Sequence, residues 1–521
     1  MKLFPLSFAA LATAALLALP VQAEPITLSW GIPAEASDIL TANTTSGTAQ
    51  LLGTKVFDGL LSYNDDLTPK PQLATVWDVS PDGLTYRFTL REGVKFHDGT
   101  PLTPQDVAFS INYLKANHPR GNVTFSTVER IETPDAHTVV LHLTKPTPFL
   151  LSALASAESP ILPEHVFADV KPGLPPPDDK LIGTGPYRFV KWQRGDYIIF
   201  EKNPDYWDKG KPEVDRLVGR FITDAASRSA AFETGEIAFG EINPAEAQRF
   251  KDQPGFQVIE LPKAYNGSHA QLAFNLDREL PRDIHVREAV SHAIDVPRIL
   301  DTVYYGAGTV SPTPIIPSKG IYHDADLGPF DYDPKKAEAI LDAAGYKPGP
   351  DGFRFKIELA LNGYHDPRLG SFIQQSLREI GIDASLRLND PAAYIKRVYT
   401  DRDFDFAIDF LGNYFDPAVG VQRVFWSKSI RPGVPFVNPS HYSNPEVDRL
   451  LEAAADEPDQ AKRVELYRQF QEIIRKDLPV IDLLDPPTFY LVSDKVTGLF
   501  NSAQAQSGNF ADLKLATPGK S

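Results

Sequence analysis

The stretch 404–423, FDFAIDFLGNYFDPAVGVQR, joins an apolar strand to side chains of the kinds that bind ligands. Its first seven residues predict a strand, which we expect to break at Gly412. An amide, a phenol and a carboxylate stand close to this glycine, at Asn413, Tyr414 and Asp416. A strand that ends at a glycine and presents these groups together is a common wall of a ligand cleft. The same pattern also fits a plain strand followed by an Asx-Pro turn.

The sequence contains none of the motifs that mark familiar catalytic or nucleotide-binding sites. HExxH, GxSxG and P-loop patterns are absent, and His292 and His323 lack the spacing of a metal site. There is no cysteine, which removes disulfides, thiol catalysis and cysteine-ligated metals. We therefore predict no catalytic residue, no metal and no cofactor. Asp409 with Asp416 is the only pair of carboxylates near the stretch that a hydrolase could use.

Length and charge limit the class of protein. A chain of 521 residues predicts two or three domains. Its 42% hydrophobic and 23% charged residues are ordinary for a soluble globular protein. The formal net charge of -16 argues against nucleic acid, or an anionic membrane surface, as the main partner.

The start of the chain has the features of a cleavable export signal. Lys2 provides a positive charge, residues 8–19 form a short apolar core, and a small-residue cleavage site ends at Ala23. The apolar run is short for a bilayer span. No cysteine follows the cleavage site, so we predict a free protein of the periplasm rather than a lipid-anchored one.

The rest of the chain alternates strands and helices, as in an α/β protein. Thr103 predicts a helix start, because threonine caps a first turn and the following proline suits the first helical position. Arg354–Leu361, Arg368–Ile380 and Ile382–Leu388 predict a strand, a helix and a strand, which together form a βαβ unit. The run 171–180, KPGLPPPDDK, holds four prolines and a glycine and predicts a connection between lobes.

Long stretches of the sequence also match one protein family, in the same order and over nearly all of the mature chain. These stretches are LATVWDVSPDGLTYRFTLREGVKFHDGTPLTPQDVAFSINYL (Leu73–Leu114), GTGPYRFVKW with FEKNPDYW (Gly183–Trp207), FNLDRELPRDIHVREAVSHAID (Phe274–Asp295) and YSNPEVDRLL (Tyr442–Leu451). In them the chain resembles the bacterial extracellular solute-binding proteins of family 5. Members of this family are periplasmic receptors of ABC importers, typified by dipeptide- and oligopeptide-binding proteins.

The resemblance implies an α/β fold with two lobes and a ligand held between them, the cluster C type of periplasmic binding protein. A two-stranded hinge joins the lobes, with crossings expected near Lys263–Leu272 and Leu484–Tyr490, and the first lobe carries an extra subdomain. The predicted limits are a signal peptide at 1–23, the first lobe at 24–58, 184–265 and 488–521, the extra subdomain at 59–183, and the second lobe at 266–487.

The resemblance also implies a function in transport without chemistry. Such a receptor captures a solute between its lobes, which close on it, and delivers it to an inner-membrane permease with its ATPase subunits. We expect a monomer that is not an enzyme, with a peptide or peptide-like polar solute as ligand. A receptor for a non-peptide solute (an opine, a sugar conjugate or a polyamine-like compound) and a periplasmic hydrolase are the alternatives.

Two anchors of the peptide-binding relatives are missing at the positions that the resemblance assigns. Those relatives hold the peptide's amino terminus with an aspartate, where this chain has Asn413, and the dipeptide-binding ones hold the carboxylate with an arginine, where Asn362 and its neighbours offer none. We expect Asn413→Ala and Asp416→Ala to weaken ligand binding with little change in melting temperature. The predicted ligand-binding residues are Phe410, Leu411, Gly412, Asn413, Tyr414, Asp416, Arg423, Tyr364, His365 and Tyr490.

Overall fold

The computed structural model of the protein describes residues 24–171 and 173–516. The predicted signal peptide lies outside these residues. Within them, no helix is both long and apolar enough to cross a membrane.

The strands are short and spread over the whole described chain. In chain order they are β1 (Thr27–Ile32), β2 (Leu61–Tyr63), β3 (Pro69–Pro71), β4 (Ala74–Val79), β5 (Thr85–Leu90), β6 (Val128–Glu132), β7 (Thr138–Leu143), β8 (Tyr187–Gln193), β9 (Tyr197–Lys202), β10 (Arg216–Phe221), β11 (Phe239–Ile242), β12 (Phe256–Glu260), β13 (Asn266–Phe274), β14 (Thr309–Val310), β15 (Phe355–Asn362), β16 (Ile382–Asn389), β17 (Phe406–Tyr414), β18 (Val480–Asp485), β19 (Phe489–Ser493), β20 (Val496–Thr497) and β21 (Lys514–Leu515).

The helices are concentrated in the second half of the chain. In chain order they are α1 (Gly47–Gly53), α2 (Pro104–Asn117), α3 (Gly121–Thr124), α4 (Glu164–Phe167), α5 (Ala225–Glu233), α6 (Pro244–Phe250), α7 (Glu279–Arg282), α8 (Ile284–Ala293), α9 (Val296–Val303), α10 (Pro334–Ala343), α11 (Pro367–Glu379), α12 (Pro391–Ile395), α13 (Pro417–Gly420), α14 (Gln422–Phe425), α15 (Pro445–Asp456) and α16 (Gln460–Asp477).

A seven-stranded sheet forms the centre of the first lobe. Its strand order is β12-β19-β11-β1-β10-β9-β8, and β1 runs parallel to both of its neighbours. Trp30 on β1 is fully buried, and its ring stacks on Phe200 and Phe239 from two other strands of the sheet. Phe510 packs edge-on against Trp30, so the end of the chain returns to this core.

The second lobe is built on a six-stranded sheet of order β14-β18-β13-β17-β15-β16. β15 runs parallel to both β16 and β17. Helices α8 to α11 cover one face of the sheet with apolar side chains, and α15 and α16 cover the other. The predicted βαβ unit is confirmed, because α11 connects the parallel strands β15 and β16.

A four-stranded antiparallel sheet of order β4-β5-β7-β6 packs beside the first lobe. Thr103 caps α2 as predicted: its hydroxyl accepts from the backbone N–H of Asp106, and the Asp106 carboxylate accepts from the N–H of Thr103. Phe88 on β5 and Leu114 on α2 belong to an apolar core that is continuous with that of the seven-stranded sheet. This layer is therefore an appendage of the first lobe.

Two chain segments connect the two large sheets. Residues 261–265 lead from β12 to β13, and residues 486–488 lead from β18 to β19. Both segments coincide with the positions where the hinge is expected. The described residues therefore have the predicted two-lobed α/β architecture, while the exact limits of each lobe stay predictions.

Candidate ligand-binding cleft

In each lobe the carboxyl ends of neighbouring parallel strands lie along one edge of the large sheet, and residues near these edges interact across the gap between the lobes. These carboxyl ends belong to β1, β10 and β11 in the first lobe and to β15, β16 and β17 in the second. At one end of the gap, the Arg120 guanidinium of the first lobe lies over the Tyr414 ring of the second. At another, the charge of Glu241 on β11 raises the pKa of Tyr364, which follows β15. Because open α/β sheets bind ligands outside the carboxyl ends of their strands, this gap is the candidate cleft.

Phe410 and His365 form an apolar surface on the second-lobe wall. Their rings stack with centroids 3.5 Å apart and planes inclined by only 14°. Burial lowers the pKa of His365 to about 4, so the stacked imidazole is neutral at pH 7. Tyr364 lies beside this pair and is 57% exposed, which leaves its ring available to a ligand. The structure thus brings three of the predicted residues together.

Tyr414 is the last residue of β17, and Arg423 on α14 lies beside its ring. The Arg423 guanidinium is 5.6 Å from the Tyr414 ring and donates to the backbone carbonyl of Gly412 at 3.4 Å. Among the described residues no carboxylate forms an ion pair with Arg423, and burial lowers the pKa of its guanidinium. Arg120 faces the same ring at 4.1 Å, held by Glu158 through a 2.8 Å Nε–Oε2 bond. This end of the cleft suits a ligand carboxylate.

The strand does not break at Gly412, which corrects the prediction made from this glycine. β17 continues to Tyr414, and Gly412 pairs with Ser268 on β13. A Cβ at position 412 would lie 2.7 Å from the Tyr414 ring. The glycine therefore makes room for a ring that folds back over the strand, instead of ending the strand.

Asn413 and Leu411 direct their side chains into protein contacts. The Asn413 amide donates to the carbonyl of Pro314 at 3.1 Å and accepts from the backbone N–H of Ile316 at 3.3 Å. Leu411 is 2% exposed and packs in the core beneath α15 and α16. In this structure Asn413 fixes the loop after β14, and Leu411 holds helices to the sheet, while their ligand-binding roles stay predictions.

Asp416 forms a buried ion pair. Its two carboxylate oxygens accept from the Nη1 and Nη2 of Arg463, each at 2.7 Å. One of them also accepts from the backbone N–H of Ala418 at 2.8 Å, which caps α13. The carboxylate is engaged in these contacts, and the ligand-binding role of Asp416 stays a prediction.

Tyr490 supports the cleft from inside the first lobe. It lies on β19 directly opposite Glu241, is 1% exposed, and packs edge-on against Phe500. Its ring belongs to the core, and its contact with a ligand stays a prediction. Glu241 and Arg120, by contrast, face the gap without having been predicted. Nothing near them in the sequence marks them, since the groups that they face come from distant parts of the chain.

Comparison with known proteins assigns the chain to a family. A profile of the bacterial extracellular solute-binding proteins, family 5 (middle region), matches residues 68–431. The chain belongs to this family. Heme-binding protein A of Haemophilus influenzae is 30% identical over 477 residues, which cover 86% of this chain and 85% of that protein. The dipeptide-binding protein of Escherichia coli is 29% identical over 456 residues, covering 82% of this chain and 83% of that protein.

A solved structure gives the same result for the fold of this family-5 member. The binding protein AgaA of A. tumefaciens R10, in complex with agropinic acid, superposes with a TM-score of 0.78 at 27% identity. The match covers 94% of this chain and 99% of that one. The predicted family and fold are thus confirmed, and the protein is the solute-binding component of an ABC transporter. In the described part of the chain, no three His, Asp or Glu side chains converge as a metal site would require.

Proposed function

We propose that this family-5 protein captures a peptide or peptide-like solute in the periplasm and delivers it to an inner-membrane permease and its ATPase subunits. The first 23 residues direct export and are then removed, and the mature protein works as a monomer. Relatives that are named as peptide-binding proteins support this proposal. The protein contributes binding and closure, and no reaction.

The observation that carries the peptide proposal is an unpaired edge of β17 that ends at an arginine. β17 pairs with β13 from Phe406 to Tyr414, but with β15 only from Phe406 to Ile408. Within the described residues, the backbone beyond Ile408 thus has no strand on its β15 side. An extended peptide can add to such an edge through backbone hydrogen bonds. Arg423, which donates to Gly412 at the end of this edge, would then hold the peptide's carboxylate.

A carboxylate-bearing solute that is not a peptide is the second candidate. The observation that favours it is the commitment of Asn413 to Pro314 and Ile316, which leaves no charged anchor at the position used by peptide-binding relatives. The similar structure of AgaA holds agropinic acid. Arg423 would bind the carboxylate of such a compound as it would that of a peptide.

The hydrolase alternative depends on Asp409 and Asp416, the pair of carboxylates nominated from the sequence, and both are buried. Asp409 is 2% exposed and accepts from the Tyr399 hydroxyl and from the backbone N–H of Phe410. Asp416 is 5% exposed and is paired with Arg463. Both carboxylates are engaged in contacts within the protein, which argues against their acting together on a bound substrate.

Calorimetry with a matched pair of peptides tests the proposal. We expect tri-alanine to stabilise the protein in a thermal-shift panel that also contains octopine, spermidine and maltose. Arg423→Met should weaken tri-alanine binding about 10- to 100-fold, because a charge-assisted hydrogen bond is lost. Tri-alanine amide, which has no carboxylate, should bind wild type and variant alike.

Arg387→Met is the control, since Arg387 is an exposed arginine on β16 that pairs with Glu358. This variant should bind tri-alanine and tri-alanine amide with the same affinities as wild type. A protein stabilised by tri-alanine but not by octopine favours the peptide, and the reverse favours the second candidate. Stabilisation by neither compound would contradict the proposal. If Arg423→Met weakens the binding of tri-alanine and of its amide by the same factor, Arg423 does not bind the carboxylate of the ligand.

A further inference from the structure

The carboxylate of Glu241 occupies an unusual position at the mouth of the first lobe. It lies near the carboxyl end of β11, directly across from Tyr490 on β19. The residue is half-buried, so its carboxylate is partly withdrawn from water without being sealed in the core. Withdrawing a charge from water is costly unless a partner compensates for it.

Glu241 has no such partner in the described part of the chain. Its carboxylate takes part in no ion pair or hydrogen bond there. Arg228 is the cation whose charge reaches it, but that guanidinium donates to the backbone carbonyls of Ile222, Thr223 and Glu241 at 2.7, 3.0 and 3.2 Å. Burial accordingly raises the pKa of Glu241. A carboxylate in this situation gains most from a cation that arrives from the cleft.

The opposite wall offers the complement to such a cation. Tyr364 of the second lobe is 57% exposed, and the charge of Glu241 is the main cause of its raised pKa. Glu241 lies near the carboxyl end of β11 and Tyr364 follows the carboxyl end of β15, so both groups border the gap. A tyrosine ring attracts cations, so an ammonium or guanidinium between the two would contact a carboxylate on one lobe and a ring on the other.

We propose that Glu241 binds a positively charged group of the ligand, and that Tyr364 covers this group from the second lobe. The inference rests on the proposed function and names the chemistry of its ligand: a solute with a cationic group as well as a carboxylate. The cation takes contacts from both lobes, as a ligand must if it is to favour the closed state. Glu241 thereby supplies the amine anchor that Asn413 lacks.

The positions of the two charged anchors indicate the size of the ligand. Tyr364 adjoins the His365–Phe410 stack, whereas Arg423 lies beside Tyr414. Phe410 and Tyr414 are four residues apart on one strand, which corresponds to about 13 Å. An extended chain of three or four residues places its amino and carboxyl termini at a separation of this order. Tri-alanine therefore fits the cleft better than a dipeptide.

Binding of tri-alanine and N-acetyl-tri-alanine to Glu241→Gln tests the inference. The two probes have the same carboxylate and differ in the positive charge. We expect Glu241→Gln to weaken tri-alanine binding roughly 10- to 100-fold, and to change the binding of the acetylated peptide by less than about twofold. Glu201→Gln is the matched control, because it replaces an exposed carboxylate on β9 of the same lobe. It should alter the affinity for neither peptide.

Two variants at position 364 test the covering ring. Tyr364→Phe keeps the aromatic face and should bind tri-alanine within about twofold of wild type, whereas Tyr364→Ala should bind it several-fold more weakly. Two results would overturn the inference while leaving the proposed function intact. In the first, Glu241→Gln binds tri-alanine as tightly as wild type does. In the second, Glu241→Gln weakens the binding of tri-alanine and of N-acetyl-tri-alanine by the same factor. A wild-type protein that binds neither peptide nor octopine would contradict the proposed function and this inference together.

Discussion

At the scale of single residues, Asp416 shows how a buried partner changes what a side chain does. Its carboxylate and the guanidinium of Arg463 are 6% and 3% exposed, and they meet through two 2.7 Å bonds. Arg463 also donates from Nε to the carbonyl of Ala454 at 2.7 Å. A pair this buried is sensitive to the loss of either member, because the other is left as an uncompensated charge.

We expect Asp416→Asn and Arg463→Met each to lower the free energy of unfolding by about 3–5 kcal/mol, as measured by urea denaturation. The double variant should lose less than the sum of the two, since it leaves no unpaired charge. Arg468→Met is the control on the same helix: that arginine is 45% exposed, and its surface pairs should contribute less than about 1 kcal/mol. Unchanged stability together with weakened tri-alanine binding in Asp416→Asn would support the ligand-binding role predicted from the sequence.

At the scale of elements, the crossing at residues 261–265 is held by a buried lysine of the second lobe. The ammonium of Lys319 donates to the backbone carbonyls of Lys263 and Ala264 at 3.1 and 2.6 Å. Lys319 is only 7% exposed, and burial lowers its pKa to about 7. Its charge state is therefore coupled to the stability of the segment through which the lobes are joined.

This coupling predicts a pH dependence with a definite sign. In the unfolded chain the lysine pKa is about 10.4, so between about pH 7 and pH 10 the unfolded state binds a proton that the folded state has released. The free energy of unfolding of wild type should therefore rise with pH across this window relative to Lys319→Met, by at most about 1.4 kcal/mol per pH unit. Below pH 7 both states are protonated, and the difference should be constant.

Urea denaturation of both proteins at several pH values measures this difference. Lys356→Met, which removes an ammonium from a lysine that is 72% exposed, controls for the general loss of a positive charge. If the difference between wild type and Lys319→Met stays flat from pH 7 to pH 10, the ammonium remains charged in the folded protein and the prediction is wrong.

At the scale of the whole molecule, two short crossings join the two lobes, and we expect the lobes to move against each other about these crossings. Direct contacts between the lobes include the ion pair of Lys145 with Asp456, at 2.7 Å, and the Arg120–Tyr414 contact. Both members of the ion pair are well exposed, so it should contribute little to closure. Phe415, Ala418 and Val419 of the second lobe also pack in the first-lobe core, and ligand contacts to both walls would add to this apolar contact in favouring the closed state.

Spin labels on the two lobes measure this closure directly. The chain has no cysteine, so labels attach only at the introduced residues of Val190→Cys and Tyr332→Cys, positions that are 44% and 45% exposed on the first and second lobe. We expect tri-alanine to shorten and narrow the distance distribution between these labels. A pair at Val76 and Val190, within the first lobe and its appendage, should not change. Tri-alanine binding without any change in the inter-lobe distance would show that the protein does not close on its ligand.

Local structure was largely predictable, because it depends on residues that are close in sequence. The Thr103 cap of α2 and the unit of β15, α11 and β16 follow from side-chain types within a few positions of each other. Residues 261–265 and 486–488, which connect the two large sheets, lie where the family resemblance led us to expect the hinge, while the role of β17 as a wall of the cleft stays a prediction. Within that wall, Phe410 with its neighbours His365 and Tyr364, and Tyr414 with Arg423, remain candidates to contact a ligand.

The sequence by itself determined the class of this protein: a cysteine-free, acidic α/β chain whose order of motifs belongs to one family of solute receptors. Only the tertiary structure decided which polar side chains remain for a ligand. Asp416 is neutralised by Arg463, 47 residues away, whereas Glu241 gains no ion-pair partner within the described residues and raises the pKa of Tyr364 on the other lobe. Whether a charge is compensated depends on the groups within a few ångströms of it, and in a two-lobed fold these come from distant parts of the chain.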